Sequence, residues 1–265
     1  MTDLLESLLA DLDAETDALR AVVADLPDSD QAGWRTPTPA PGWTVAHQVA
    51  HLAWTDRAAV LAASDKTGWD ELVVLAMEDP TGFVDRSAAD LATNPPADVL
   101  ARWDAARDDL ATALRGLPAG EKMPWFGPPM SAASMATARF METWAHGLDI
   151  RDALGVPTEP TDRVRHVAHL GVRTRGFAHA AHGEDAPTDE VRVELLSPSG
   201  DTWTWGPEDA TQRVTGTAYD FARLVTQRVH RSDTDLVATG EAADHWLDIA
   251  QCFAGPPGPG RGARP

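Results

Sequence analysis

Glu142 and His146 stand four residues apart in the run Met141-Glu142-Thr143-Trp144-Ala145-His146-Gly147-Leu148-Asp149. On a helix, positions i and i+4 project from one face. That face sets a carboxylate and an imidazole among Met141, Trp144, Ala145 and Leu148. Burying both without partners is costly, so a chain of this kind must fold to supply partners. A metal ion is the most economical one, and the search is then for a further ligand.

A second helical segment offers it. In Trp43-Thr44-Val45-Ala46-His47-Gln48-Val49-Ala50-His51-Leu52, His47 and His51 also share a face at i, i+4. Facing helices of a bundle build metal sites from inward-pointing His and Glu. The candidate set is His47, His51, Glu142 and His146. Nitrogen and carboxylate donors suit zinc, and also nickel, iron or manganese. Three protein ligands with an open position are typical of catalytic zinc, whereas four indicate a structural site. The place of His47 therefore matters, and spacing alone leaves open whether the two helices face each other.

The surrounding pattern is that of a helical bundle. Residues 3–26 keep a 3.6-residue apolar period through Leu5, Leu8, Leu12, Leu19 and Val23, with Pro27 as the stop. Thr44 caps a helix from Val45 to about Ala63, and a short helix is expected over Asp70–Met77, broken by Asp79-Pro80. A third long helix follows Pro95-Pro96, with Val99, Trp103, Ala106, Leu110 and Leu114 on one side. Ser131 opens a fourth that ends at Leu154 before Gly155 and Pro157. The pattern changes after Pro160. A helix over 162–181, strands over 190–196, 202–205 and 213–216, and helices over 217–229 and 241–253 are expected, with a turn at Ser197-Pro198-Ser199-Gly200. The fold class expected is α+β: a four-helix bundle over 1–158, a small α/β domain over 159–254, and a disordered Gly/Pro-rich tail over 255–265.

Pro41-Gly42-Trp43-Thr44 with His51-Leu52 resembles the second-helix motif of the DinB-like metal-binding proteins. Arg139, Glu142, His146 and Asp149 resemble a later helix of the mycothiol-dependent maleylpyruvate isomerase branch of that family. The resemblance covers the bundle to about residue 155 and extends more weakly into the second domain, which looks sterol-carrier-like. It implies a divalent metal, typically zinc, held by His51, Glu142 and His146, with His47 beside the site rather than on the metal. It implies mycothiol as the thiol cofactor, and an isomerase or thiol transferase acting on a small electrophilic substrate. The same metal site would also serve a hydrolase using bound water, or would brace a non-catalytic binding protein. In the resembled isomerase an Arg of the second domain reaches toward the site; of Arg223, Arg228 and Arg231, Arg228, near a helix end before a turn, is expected to take that part, the alternative being a surface salt bridge. Asp149, one turn beyond His146, either orients a neighbouring group or pairs at the surface with Arg151 or Arg139. The loop Met123–Met130, with Trp125 and Phe126, is expected to shape the pocket.

Composition narrows the partners. Against 22 Lys and Arg stand 41 Asp and Glu, a net charge of −19. Such a field repels phosphate backbones and anionic membranes, so no nucleic-acid or membrane partner is expected, and roles on tRNA or damaged DNA are disfavoured. The start of the chain lacks a basic signal region and no apolar run is long enough to span a bilayer, so a cytoplasmic protein, monomer or homodimer, is expected. The single cysteine, Cys252, reads as a small buried apolar residue. Most of the ten tryptophans read as core. For the pairs His166/His169 and His179/His182, near Arg173 and Arg175, no acidic or thiolate group nearby is expected to complete a ligand set, and they read as a solvated face or a domain contact.

Overall fold

The computed structural model describes residues 2–258 and 260–264. The chain divides into two compact units, 1–158 and 159–265. The first contains α1 (Thr2–Val23), α2 (Val45–Ser64), α3 (Lys66–Glu78), α4 (Phe83–Ala92), α5 (Pro96–Gly116) and α6 (Ala132–Leu154). The long helices α1, α2, α5 and α6 make the bundle. α2 packs against α5, α4 and α6, while α1 lies along α6. Leu19, Val23, Trp34, Val49, Leu52, Val99, Trp103 and Ile150 join in one buried cluster.

Local chemistry explains where these helices begin and end. α1 stops at Val23 rather than continuing to 26, because the residue before Pro27 is steered away from helical geometry. α3 starts earlier than its apolar pattern suggests, since the Asp65 side chain accepts from Gly68 N–H at 3.0 Å. After the expected helix break at Asp79-Pro80, the Asp79 side chain accepts from Gly82 N–H at 2.9 Å in the turn that leads into α4, and Phe83 and Ala88 anchor that helix in the core. Ser131 caps α6 through Ser134 N–H. At the other end Gly155 adopts φ 66°, with Gly155 N–H bonded to Asp152 O and Val156 N–H to Arg151 O, a Schellman closure.

The second unit contains α7 (Arg165–Arg173), α8 (Arg175–Ala181), β1 (Val191–Leu196), β2 (Thr202–Trp205), β3 (Gln212–Thr217), α9 (Ala218–Val225), β4 (Val237–Thr239) and α10 (Glu241–Ile249). The sheet order is β2-β1-β3-β4. β1 runs antiparallel to β2 and parallel to β3, and β4 is antiparallel to β3. Val193, Leu195 and Val214 are fully buried, and α9 and α10 pack against this sheet.

The continuous helix expected over 162–181 is interrupted at Thr174, whose hydroxyl donates to Leu170 O at 2.9 Å. α9 is shorter than expected because Gln227 turns the chain at φ 58°. α10 is shorter because Cys252 leaves the helix to donate its N–H to Val225 O at 2.9 Å; its side chain is buried. β4, only three residues long, falls outside the sequence expectation. The described residues of the 255–265 tail form no helix or strand. Gln251 Nε2 donates to Gly255 O and Arg264 N–H to Asp233 Oδ2. Pro259 and Pro265, which the expected disorder also included, lie outside the described residues. Among the described residues no helix is long and apolar enough to cross a membrane.

Two glycines separate conformational strain from steric clash. A Cβ at Gly155 would meet nothing within 4 Å, whereas one at Gly206 (φ 78°) would lie 2.1 Å from Val191 O. Gly155→Ala is expected to cost about 1 kcal/mol, or a Tm loss of about 2–4 °C in thermal unfolding. Gly206→Ala is expected to cost clearly more, and equal losses would refute the distinction.

Candidate metal centre

α2 and α6 bring His51, Glu142 and His146 together. Glu142 Oε2 lies 3.4 Å from His51 Nε2 and 3.1 Å from His146 Nε2. One ligand atom from each residue lies within 4.8 Å of the others. The two imidazole centroids are 4.5 Å apart, and both rings are largely buried. Burial pushes the Glu142 carboxyl pKa upward, but hydrogen bonds from His146 and His51, and the charges of His146 and Arg139, outweigh it and hold it well below the usual 4.5. The group is a carboxylate at neutral pH.

The protein sets the His146 tautomer through Gln48. The Gln48 amide nitrogen donates to Thr38 Oγ1 at 2.9 Å and faces Asp149 Oδ2 at 3.5 Å. Its oxygen is therefore the atom turned to His146 Nδ1. An amide oxygen only accepts, so Nδ1 carries the proton and a neutral His146 presents the Nε2 lone pair to Glu142. Two electron-rich atoms 3.1 Å apart are reconciled either by protonating the imidazole or by a cation bound to both. The donor set, two imidazole nitrogens and one carboxylate oxygen, fits a divalent transition metal.

A buried ion pair stands behind the centre. Arg139, one turn before Glu142, donates from Nε to Asp56 Oδ1 at 2.8 Å and also bonds Thr55 Oγ1. Both charged side chains are nearly inaccessible. Arg139 thus pairs with α2 and not with Asp149, and Asp149 is wholly buried instead of lying at the surface.

His47 lies outside the three-residue cluster. Its Nδ1 accepts from Thr44 N–H at 3.3 Å and lies 2.8 Å from Thr44 Oγ1, closing the start of α2. Burial and Arg35 lower its pKa, in keeping with a neutral ring acting as an acceptor. Arg228 belongs to the second unit, in the turn after α9, and donates to Thr226 O at 2.6 Å.

Aromatic rings wall the centre. Trp43 stacks on His146 at 5.9 Å and approaches His51 at 5.3 Å, its indole N–H held by Asp85 Oδ1 at 3.1 Å. Trp54 lies 6.1 Å from His51 and continues to Phe83 and Phe126. Phe126 in turn meets Trp69 and Trp125. Trp34, Trp103 and Trp246 are core, but Trp43, Trp54, Trp69 and Trp125 belong to this array. Sequence reasoning passed over Gln48, Asp56 and Trp54. Gln48 and Asp56 gain their parts from His146 and Arg139 on α6, and Trp54 from its contacts with His51, Phe83 and Phe126.

Two measurements test this centre. Gln48→Ala is expected to weaken Zn²⁺ binding by about 10- to 100-fold in chelator competition, and unchanged affinity would remove Gln48 from its supporting role. In metal-free protein, the stability due to the lowered Glu142 pKa is fully present above 4.5 and is lost as pH falls through the lower folded-state value. Urea unfolding midpoints below pH 4.5 should therefore fall more steeply in wild type than in Glu142→Gln; parallel curves would contradict this.

Comparison with known proteins places the chain. Uncharacterized proteins of two Mycobacterium tuberculosis strains, CDC 1551 / Oshkosh and H37Rv, are each 57% identical to it over 253 residues, covering 96% of this chain and 97% of theirs. The crystal structure of the mycothiol-dependent maleylpyruvate isomerase superposes with TM-score 0.57 at 15% identity, over 88% of this chain and 92% of the other. A mutant of that enzyme gives the same TM-score at 17% identity. At such identities the likeness is one of fold. Residues 187–239, which span the whole sheet, match a family described as wyosine base formation. Residues 12–151 match the mycothiol maleylpyruvate isomerase N-terminal domain, and with more than half of its length so matched this chain belongs to that family.

Proposed function

We propose that the chain is a divalent-metal-dependent enzyme that uses mycothiol to act on a small electrophilic substrate, as an isomerase or a thiol S-transferase. The observation that carries this reading is the convergence of His51, Glu142 and His146, with one ligand atom of each within 4.8 Å of the others, beneath an aromatic wall. In this reading His51, Glu142 and His146 hold the metal, most simply zinc. When bound, such an ion lowers the pKa of a coordinated thiol and so supplies a thiolate near neutral pH.

The protein's own residues do the rest. Gln48, held by Thr38 and Asp149, keeps the proton on His146 Nδ1 and the lone pair on Nε2. Arg139 and Asp56 fix the helix turn that carries Glu142. Trp43 and Trp54 exclude water from the imidazoles and offer flat apolar faces to a substrate. The wyosine match supports no nucleic-acid substrate here, because a chain of net charge −19 repels a phosphate backbone.

The experiment incubates zinc-loaded protein with an electrophile such as maleylpyruvate, with and without mycothiol, and follows substrate and product. Conversion is expected only with the thiol, and His146→Ala is expected to abolish it along with tight metal binding. Equal turnover without thiol would overturn the proposal in favour of hydrolysis by metal-activated water. An inert, metal-replete protein across a panel of electrophiles would favour a binding role.

A further inference from the structure

We propose that His179, Glu184 and His245 form a second transition-metal site, contained wholly within the C-terminal unit. Glu184 Oε2 lies 3.1 Å from His179 Nδ1 and 2.7 Å from His245 Nε2, and one ligand atom of each residue lies within 4.8 Å of the others. As with Glu142, one carboxylate oxygen is shared by two imidazole nitrogens. The sequence expectation that no acidic group completes a set near His179 is thereby corrected. It paired His179 with His182, which is exposed and bonds Ala178 O, whereas the fold brings in Glu184 and, from 61 residues further on, His245.

The site is built by the backbone rather than by chance meeting of mobile side chains. α8 closes in a Schellman turn. Gly183 (φ 73°) donates to Ala180 O and Glu184 N–H donates to His179 O at 3.0 Å, which folds the Glu184 carboxylate back over the His179 ring. His179 is 1% exposed, so its ring orientation is fixed by packing. His245 precedes Trp246, which is buried against Phe221, so α10 holds its position firmly. The His179 and His245 rings are tilted and unstacked, with centroids 5.6 Å apart at 56°, and a nitrogen of each meets Glu184 Oε2.

An isolated ion pair of this exposure contributes little to stability, so stability alone is a weak reason for the arrangement. Two nitrogens and one oxygen favour Zn²⁺, Ni²⁺ or Cu²⁺ over Mg²⁺ or Ca²⁺. Glu184 and His245 are 39% and 46% exposed, so an ion can enter without opening the fold and part of its coordination sphere remains for water. Bound there, it would cross-link α8 to α10.

The test uses the untagged full-length chain, stripped of metal and titrated with Zn²⁺ against a chromophoric chelator. His245→Ala and Glu184→Gln both alter exposed positions, so folding is expected to survive, which circular dichroism verifies. Each variant is expected to bind one equivalent fewer than wild type, whereas His146→Ala loses the other equivalent. Unchanged stoichiometry in both His245→Ala and Glu184→Gln would overturn this proposal and leave the bundle centre standing. Conversely, a single wild-type equivalent that vanishes in His245→Ala but survives in His146→Ala would support this site and remove the first.

Discussion

The carboxylate of Glu142 is the charge around which α2 and α6 are arranged. It sits inside an apolar helix face and remains ionised, so everything within reach must compensate it. His51 and His146 do so directly, and Arg139 adds positive charge from one turn away. Arg139 in turn requires Asp56, since removing one member of a buried ion pair costs about 3–5 kcal/mol. The consequence is a polar seam between two helices whose other contacts are apolar. A shift of one helix along the other would break the seam at several points together, so the charges select one register for the pair.

The same seam gives the centre its chemical character. Thr38 lies in the loop before α2 and accepts from Gln48 while donating to Trp43 O. Gln48 transmits that orientation to His146, and Trp43 is fixed at its other end by Asp85 on α4. The loop preceding α2, α2 itself, α4 and α6 therefore all converge on two imidazoles. A binding site for a cation needs rigid donors more than many donors. Here Gln48 braces the His146 ring from behind, and the rings of Trp43 and Trp54 lie against the two imidazoles. Each unit thus carries a carboxylate shared by two histidines, one deep between long helices and one near the surface beside a helix terminus. Burial separates their character: the first holds its charge in an apolar setting, and the second stays in contact with water.

Much of this was legible in the chain. The i, i+4 spacing of Glu142 and His146, the apolar periods of the four long helices, the caps at Thr44 and Ser131, and the stop at Gly155 are local features that obey local rules. The alternation of Val191, Val193 and Leu195 marked β1 for the same reason. Less legible were elements whose cause lies in a single side chain or in distant packing. α4 follows directly on the break at Asp79-Pro80 and is held by the burial of Phe83 and Ala88, and β4 is too short to show a period.

What the sequence determined by itself was the existence of a polar pair on an apolar helix face and the bundle needed to bury it. Tertiary structure alone decided which groups answer that pair. Gln48 and Asp56 have no distinguishing pattern, because their role depends on facing α6 across a helix interface. His47 shares the spacing of His51 but is consumed by the cap at Thr44. His179 meets Glu184 through a helix-terminal turn and His245 only through the packing of α8 on α10. Periodicity reports which face of a helix a residue occupies, and a ligand set is defined by which faces meet.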